Sequence, residues 1–90
     1  MYTVVLDDEV KAELAAIWVA AGSAGLSDAH RALTAINEQL TTAPYERSES
    51  REGADRVMFD LPVGVRYVVY DAIARVNILH VWYVHRRGQP

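Results

Sequence analysis

Hydrophobic positions in the first half of the chain follow helical spacing after a short apolar strand. YTVVL at 2–6 predicts a strand that ends at Asp7. One helical face then collects Val10, Leu14, Ile17, Trp18 and Ala21, and after GSAG at 22–25 a second face collects Ala29, Leu33, Ile36 and Leu40. Ser27 is the predicted N-cap of this second helix, and Pro44 ends it. Because the connection is short, we expect an antiparallel helix hairpin.

The second half of the chain changes to a period of two. A polar segment, APYERSESREGAD at 43–55, is the expected mobile stretch. The alternation of Val57, Phe59 and Leu61 with polar neighbours predicts a strand. A second strand is predicted over 65–71 and a last one over about 76–85, after the turn DAIAR. LPVG joins the first two, with Pro62 and Gly64 as the turn residues of a three-residue loop.

Arg66 is the unexpected residue of this region, because it lies inside the apolar run GVRYVVYD. A loop of residues 62–64 would pair Asp60 with Arg66, and pairing of Asp71 with Arg75 would place His80 on the other side of Arg66. This register puts Arg66 on the sheet face away from the helices. The same register predicts a core face of Val57, Phe59, Leu61, Val65, Tyr67, Val69, Leu79 and Val81.

An apolar row is predicted on the face that carries Arg66. It consists of Met58, Val68 and Ile78, flanked by Tyr70 and Trp82. A monomer of 90 residues rarely leaves such a row exposed to water. We therefore expect these residues to bind a partner, either a different chain or a second copy of this one.

Composition and charge limit the classes of function. Residues 1–90 fit one small domain, and the 51% of hydrophobic residues are typical of a folded globular protein. The lack of cysteine excludes disulfides and thiolate metal sites and suits the cytoplasm. Neither a signal peptide nor a membrane span is predicted. The charge is uneven: residues 1–46 carry two basic and seven acidic residues, whereas residues 47–90 carry seven arginines and five acids.

The segment RVMFDLPVGVRYVVYDAIARVNILHVWYVHRR at 56–87, together with the predicted element order, resembles the RelE/ParE superfamily of bacterial type II toxins. The resemblance implies an α+β fold of order β-α-α-β-β-β, with a helix hairpin on one face of a mainly antiparallel sheet. Arg66 matches the family's arginine in the second hairpin strand. Arg56 matches the basic residue that opens the preceding strand, and His85 with Arg86 matches the basic pair after the last strand.

The resemblance implies two functional alternatives. RelE-like members cut messenger RNA in the ribosomal decoding site, ParE-like members poison DNA gyrase, and an antitoxin protein inhibits both. The first alternative is a ribosome-dependent, metal-independent RNA endonuclease. The second is a gyrase poison or degenerate toxin that acts only by binding protein. The acidic net charge of −3 and the lack of a tyrosine after Arg87 favour the second alternative.

Metal-free RNA cleavage requires a base, an acid and positive charge near the phosphate. The candidate catalytic residues are Arg66, His80, His85 and Arg86. The candidate substrate-binding residues are Arg56, Trp82 and Tyr70. Trp82 or Tyr83 could stack on a base. Each also has a purely structural interpretation, such as a cross-strand ion pair of Arg66 with Asp60. No metal ion or cofactor is expected.

Overall fold

A computed structural model describes residues 1–51 and 53–85 as a helix packed on a five-stranded sheet. The helix is α1 (Asp8–Thr42), and the strands are β1 (Thr3–Leu6), β2 (Ser48–Ser50), β3 (Asp55–Asp60), β4 (Val63–Tyr70) and β5 (Arg75–Tyr83). The spatial order is β1-β5-β4-β3-β2, and β1 is parallel to β5 whereas the other pairs are antiparallel. The predicted α+β fold is confirmed. The short strand β2 is an addition, because it lies in the polar segment predicted to be mobile.

Gly22 divides α1 into two arms. Its φ of 65° and ψ of −178° are not helical, and this combination is almost restricted to glycine. A straight helix of 35 residues would be about 52 Å long, whereas the longest dimension of the molecule is 45 Å. The arms instead fold back, so that Val10 and Ile36 line one apolar cavity of about 260 Å³. The predicted hairpin is present, but Ser27 lies within the second arm rather than at an N-cap.

The core lies between the two arms and the facing side of the sheet, which we call the inner face. The buried residues of α1 are Val10, Ile17, Ala29, Ala32, Ile36 and Leu40, and those of the inner face are Met58, Val63, Val65, Tyr67, Val76, Ile78 and Val81. Tyr67 is fully buried, and its hydroxyl donates a hydrogen bond to the carbonyl oxygen of Pro44. That bond satisfies the one polar group of a side chain that otherwise packs with apolar neighbours.

The β3–β4 hairpin is tighter than predicted, and this inverts the faces of β3. Only Leu61 and Pro62, joined by a cis peptide bond, connect the strands, so Asp60 pairs with Val63. The predicted pairing of Asp60 with Arg66 is therefore wrong by three residues, and an odd shift exchanges the two faces of a strand. Met58 lies in the core, 1% exposed.

The β4–β5 pairing contains a bulge between Arg66 and Tyr67. Arg66 faces His80 across the strands, as predicted, but Tyr67 faces Ile78, which leaves Leu79 as the extra residue. Ile78 therefore turns into the core, where it is 6% exposed.

The predicted apolar row does not form. Met58 and Ile78 lie in the core, and Val68 alone remains on the opposite face. The turn that precedes β5 is a single 3-10 helix, Asp71–Ile73. Among the described residues, α1 does not have the run of apolar residues that crossing a membrane requires.

Candidate functional site

The candidate site is the sheet face turned away from α1, which we call the outer face. Strand register places on it four residues predicted to bind or cleave RNA, Arg66, Tyr70, His80 and Trp82, together with Asp55, Val57, Phe59, Gly64 and Val68. The central strand β4 supplies Gly64, Arg66 and Val68 at alternate positions, because successive side chains point to opposite sides of a sheet. Arg66, His80 and Trp82 thus belong to neighbouring positions of two paired strands.

Arg66 is held by Asp55 rather than by Asp60. Its Nη2 lies 2.6 Å and its Nε 2.8 Å from Asp55 Oδ2. Asp55 lies two residues before Val57, the direct cross-strand partner of Arg66, so the ion pair is diagonal. A guanidinium has five N–H donors, and no other described residue takes the remaining three. The contact fixes the orientation of Arg66 and leaves donors for an external anion.

Phe59 and Trp82 form an aromatic pair over Gly64. Their ring centroids are 5.8 Å apart at an interplanar angle of 82°, an edge-to-face contact. Both residues are cross-strand partners of Gly64. A Cβ atom on Gly64 would lie 2.7 Å from the Trp82 ring and 2.8 Å from the Phe59 ring. Glycine is needed here because the rings occupy the space of a side chain, not because the turn requires a left-handed residue.

His80 makes its polar contact at the edge of β5. Its Nδ1 lies 3.3 Å from Oε2 of Glu13 on α1, and the Val81 N–H donates to Glu13 Oε1 over 3.1 Å. The side chain of His80 is 52% exposed. His80 thus connects the outer face to the first arm of the helix.

His85 lies near the same edge but packs differently. Its ring contacts Tyr83, with centroids 4.9 Å apart. Both rings border a groove of about 340 Å³, whose other lining residues include Glu13 and Trp82. Arg86, the fourth predicted catalytic residue, lies outside the described residues.

Arg56 lies on the other side of the sheet from Arg66. It pairs with the buried Tyr67, its Nε donates to Ser48 Oγ over 2.7 Å, and its guanidinium lies 4.9 Å from the centre of the Tyr45 ring. The structure therefore separates two arginines that the sequence analysis grouped. Arg56 instead connects β3 to β2 and the preceding loop.

Tyr70 is also separate from the Arg66 site. It is the last residue of β4 and is 44% exposed, and the centre of its ring lies 6.0 Å from the guanidinium carbon of Arg75. Both residues are at the end of the sheet where β4 turns into β5. The predicted substrate-binding set thus divides among three places, with Trp82 alone beside the Arg66 site.

Asp71 joins three segments at that end of the sheet. Its carboxylate accepts hydrogen bonds from Tyr2 at 2.7 Å and Tyr45 at 2.6 Å. The hydrogen bond to Asp71 raises the pKa of Tyr45 to about 12. The hydroxyls of Tyr45 and Tyr2 in turn lower the pKa of the Asp71 carboxyl, because they stabilise its charged form.

Asp60, the residue predicted to hold Arg66, instead anchors the hairpin on the inner face. Arg31 of the second helical arm and Arg47 lie 3.4 and 3.3 Å from its two oxygens. The same arginines donate to the carbonyl oxygens of Leu61 and Phe59. These contacts connect the tip of the hairpin to the helix.

Sequence reasoning missed Asp55 and Glu13. Asp55 belonged to the segment predicted to be mobile, although it continues the period-two alternation of β3. Glu13 had no such signal, since its role depends on how α1 packs against β5. Among residues 1–51 and 53–85, no three histidine or acidic side chains are placed to hold a metal ion.

No protein-family model and no curated protein sequence matches this chain. Two solved structures are similar in fold. The toxin-antitoxin complex RelBE2 of Mycobacterium tuberculosis contains a chain with a TM-score of 0.67 and 19% identity, and the match covers 91% of this chain and 96% of that one. The isolated E. coli RelE toxin has a TM-score of 0.65 and 18% identity, with coverage of 98% and 89%. The chain therefore has the RelE fold, as the pattern of residues 56–87 predicted.

Proposed function

We propose that this chain is the toxin of a type II toxin-antitoxin system, acts in the cytoplasm and is inhibited by a cognate antitoxin. One observation carries the proposal: the RelE fold extends over nearly the whole chain, and it presents Arg66 at the centre of the outer face. The resemblance assigned a functional arginine to this position. The RelBE2 structure is itself a complex of a toxin with its antitoxin.

The reaction that the outer face supports best is metal-independent cleavage of ribosome-bound messenger RNA. His80 takes the proton of a ribose 2′-hydroxyl, and the 2′ oxygen attacks the adjacent phosphorus. The bond from phosphorus to the 5′ oxygen breaks, and that oxygen takes a proton from water. Arg66 stabilises the extra negative charge on the phosphate through its remaining N–H donors. Trp82, edge-on to Phe59, offers a ring on which a base can stack.

A second candidate function is inhibition by binding alone, as in a gyrase poison or a degenerate toxin. The ion pair of Arg66 with Asp55 favours it, because a neighbouring carboxylate offsets the charge that would attract phosphate. The net charge of −3 also weakens the attraction of the chain to RNA phosphates and so favours the binding function. The two candidates share the toxin role and differ in whether RNA is cut.

Induction of the chain in bacteria, with and without its neighbouring open reading frame, tests the toxin role. We expect growth arrest that the neighbouring gene relieves, and no arrest in either case would refute the proposal. Mapping of messenger RNA 5′ ends after induction separates the candidates. Cuts within codons that depend on translation support the nuclease, whereas arrest with intact messages supports the binding function.

Two arginine variants localise the activity on the sheet. Arg66→Ala removes an arginine from the outer face, and Arg56→Ala makes the same substitution on the inner face. We expect Arg66→Ala to reduce growth arrest strongly while Arg56→Ala retains it, at equal protein levels. The reverse result would move the site to the inner face.

A further inference from the structure

Glu13 connects the helix to an edge of β5 that no described strand covers. Strand β1 ends at Leu6, which pairs with Ile78, so β5 continues beyond its parallel neighbour. The Val81 N–H at this edge donates to Glu13 Oε1 over 3.1 Å. Glu13 is 36% exposed in its side chain, and the main-chain contact fixes the position of its carboxylate. The position of its second oxygen, Oε2, is therefore fixed as well.

That second oxygen meets His80. The distance from Glu13 Oε2 to His80 Nδ1 is 3.3 Å. An ionised carboxylate only accepts hydrogen bonds, so Nδ1 must carry the proton for this bond to form. In a neutral imidazole, protonation of one nitrogen leaves the other as an acceptor. The contact therefore selects the tautomer whose Nε2 can take a proton.

We propose that Glu13 is a positioning residue that holds His80 as the Nδ1–H tautomer and so makes its Nε2 the general base for an RNA 2′-hydroxyl. The role of His80 Nε2 as a general base rests on the proposed nuclease function. The effect of Glu13 on the tautomer of His80 does not. Within residues 1–51 and 53–85, the charged groups that face His80 are Glu13 from α1 and Arg66 from β4, and Asp55 balances the charge of Arg66. Glu13 is thus the carboxylate that acts directly on the ring.

Glu13→Gln tests this arrangement with little change in shape. The amide oxygen of the variant can still accept from Val81 N–H, but its NH₂ group then faces His80 Nδ1 and donates to it. This forces the proton of a neutral ring onto Nε2 and removes the base. Glu9→Gln is the matched control, because Glu9 is an exposed residue one turn earlier on the same arm.

The first readout is the tautomer, measured from the imidazole nitrogen shifts of the ¹⁵N-labelled chain above the titration range of the ring. We expect Nδ1–H in the wild-type chain and in Glu9→Gln, and Nε2–H in Glu13→Gln. Nε2–H in the wild-type chain would overturn the proposal without any variant. This readout holds even if the chain cuts no RNA.

The second readout is cleavage of messenger RNA on purified ribosomes. Loss of a general base lowers the rate by about 100-fold or more, so we expect kcat to fall by that factor in Glu13→Gln, with KM unchanged. The His80→Ala variant should lose no further rate when Glu13→Gln is added. A changed tautomer with an unchanged kcat refutes the catalytic role. Failure of the wild-type chain to cut refutes the nuclease and the base, whereas the tautomer still decides whether Glu13 positions His80.

Discussion

Arg66 Nη2 lies 2.6 Å from Asp55 Oδ2 on the outer face of the sheet. The two side chains are 37% and 26% exposed, so solvent weakens their attraction without abolishing it. The pair orients Arg66 and at the same time competes with any anion that would bind there. This relationship predicts different outcomes for the two partners.

Arg66→Ala is expected to reduce toxicity strongly and stability by only about 1 kcal/mol or less, as for partly exposed ion pairs. Val65→Ala, on the neighbouring inner-face position that is 1% exposed, should instead cost about 1–3 kcal/mol because it leaves a cavity. Urea unfolding and growth arrest measure the two effects. Unfolding of the domain by Arg66→Ala would contradict the functional interpretation.

Asp55→Asn is expected to strengthen binding of the chain to RNA, because it removes the carboxylate that competes for Arg66. The measurement is retention of a short RNA at two salt concentrations, since phosphate contacts weaken as salt rises. Asp8→Asn is the control, because it removes the same charge from a fully exposed side chain at the start of α1. Equal gains in both variants would show a general charge effect rather than a local one.

Gly64→Ala is expected to destabilise the protein by about 1–3 kcal/mol, because its Cβ would overlap the Trp82 and Phe59 rings. Near-ultraviolet circular dichroism should also change as the edge-to-face pair is displaced. Adding Phe59→Ala should recover part of the loss, since it removes one of the two overlapping rings. Gly64→Ala with unchanged stability and spectrum would show that the rings do not meet over Gly64.

Stability is expected to decline between pH 10 and pH 12 because of Tyr45. The pKa of Tyr45 is raised from 10.0 to about 12 in the folded chain, so its hydrogen bond to Asp71 contributes fully below pH 10 and is lost as the pH rises through 12. Tyr45→Phe should flatten this decline. Tyr70→Phe is a matched control, since Tyr70 is 44% exposed against 43% for Tyr45. Equal declines of melting temperature in all three proteins would contradict the assignment.

The same cluster predicts a loss of stability in acid. The pKa of Asp71 is lowered below its ordinary 3.8. Its contribution is therefore present above that pH and disappears as the pH falls through the lowered value. Tyr45→Phe and Asp71→Asn should both reduce this part of the acid transition, which a melting series from pH 5 to pH 2 would measure.

The sequence by itself determined which segments are helical and which are extended, except for the short strand β2. The change from helical spacing to alternation identified the helix hairpin, the strands of the second half and the RelE fold, because each period reflects burial of one face of an element. Alternation within β4 also correctly predicted that Arg66 lies on the sheet face turned away from the core. These features are local, so neighbouring residues suffice to specify them.

Tertiary structure alone decided the registers and the partners of the site. The two-residue connection at Leu61–Pro62 shifts the register of β3 against β4 by three residues from the predicted one. An odd shift exchanges the two faces of a strand, so Asp55 rather than Asp60 lies on the face of Arg66. Arg75 pairs with Tyr70 and not with Asp71 as predicted, which is a shift of one residue. The extra residue Leu79 in the bulge cancels this shift, so Arg66 still pairs with His80 as predicted. Glu13 reached His80 through packing of α1 on β5. The contacts of Glu13 with His80 and Val81 join residues 67 and 68 positions apart, and no local pattern in the sequence records them.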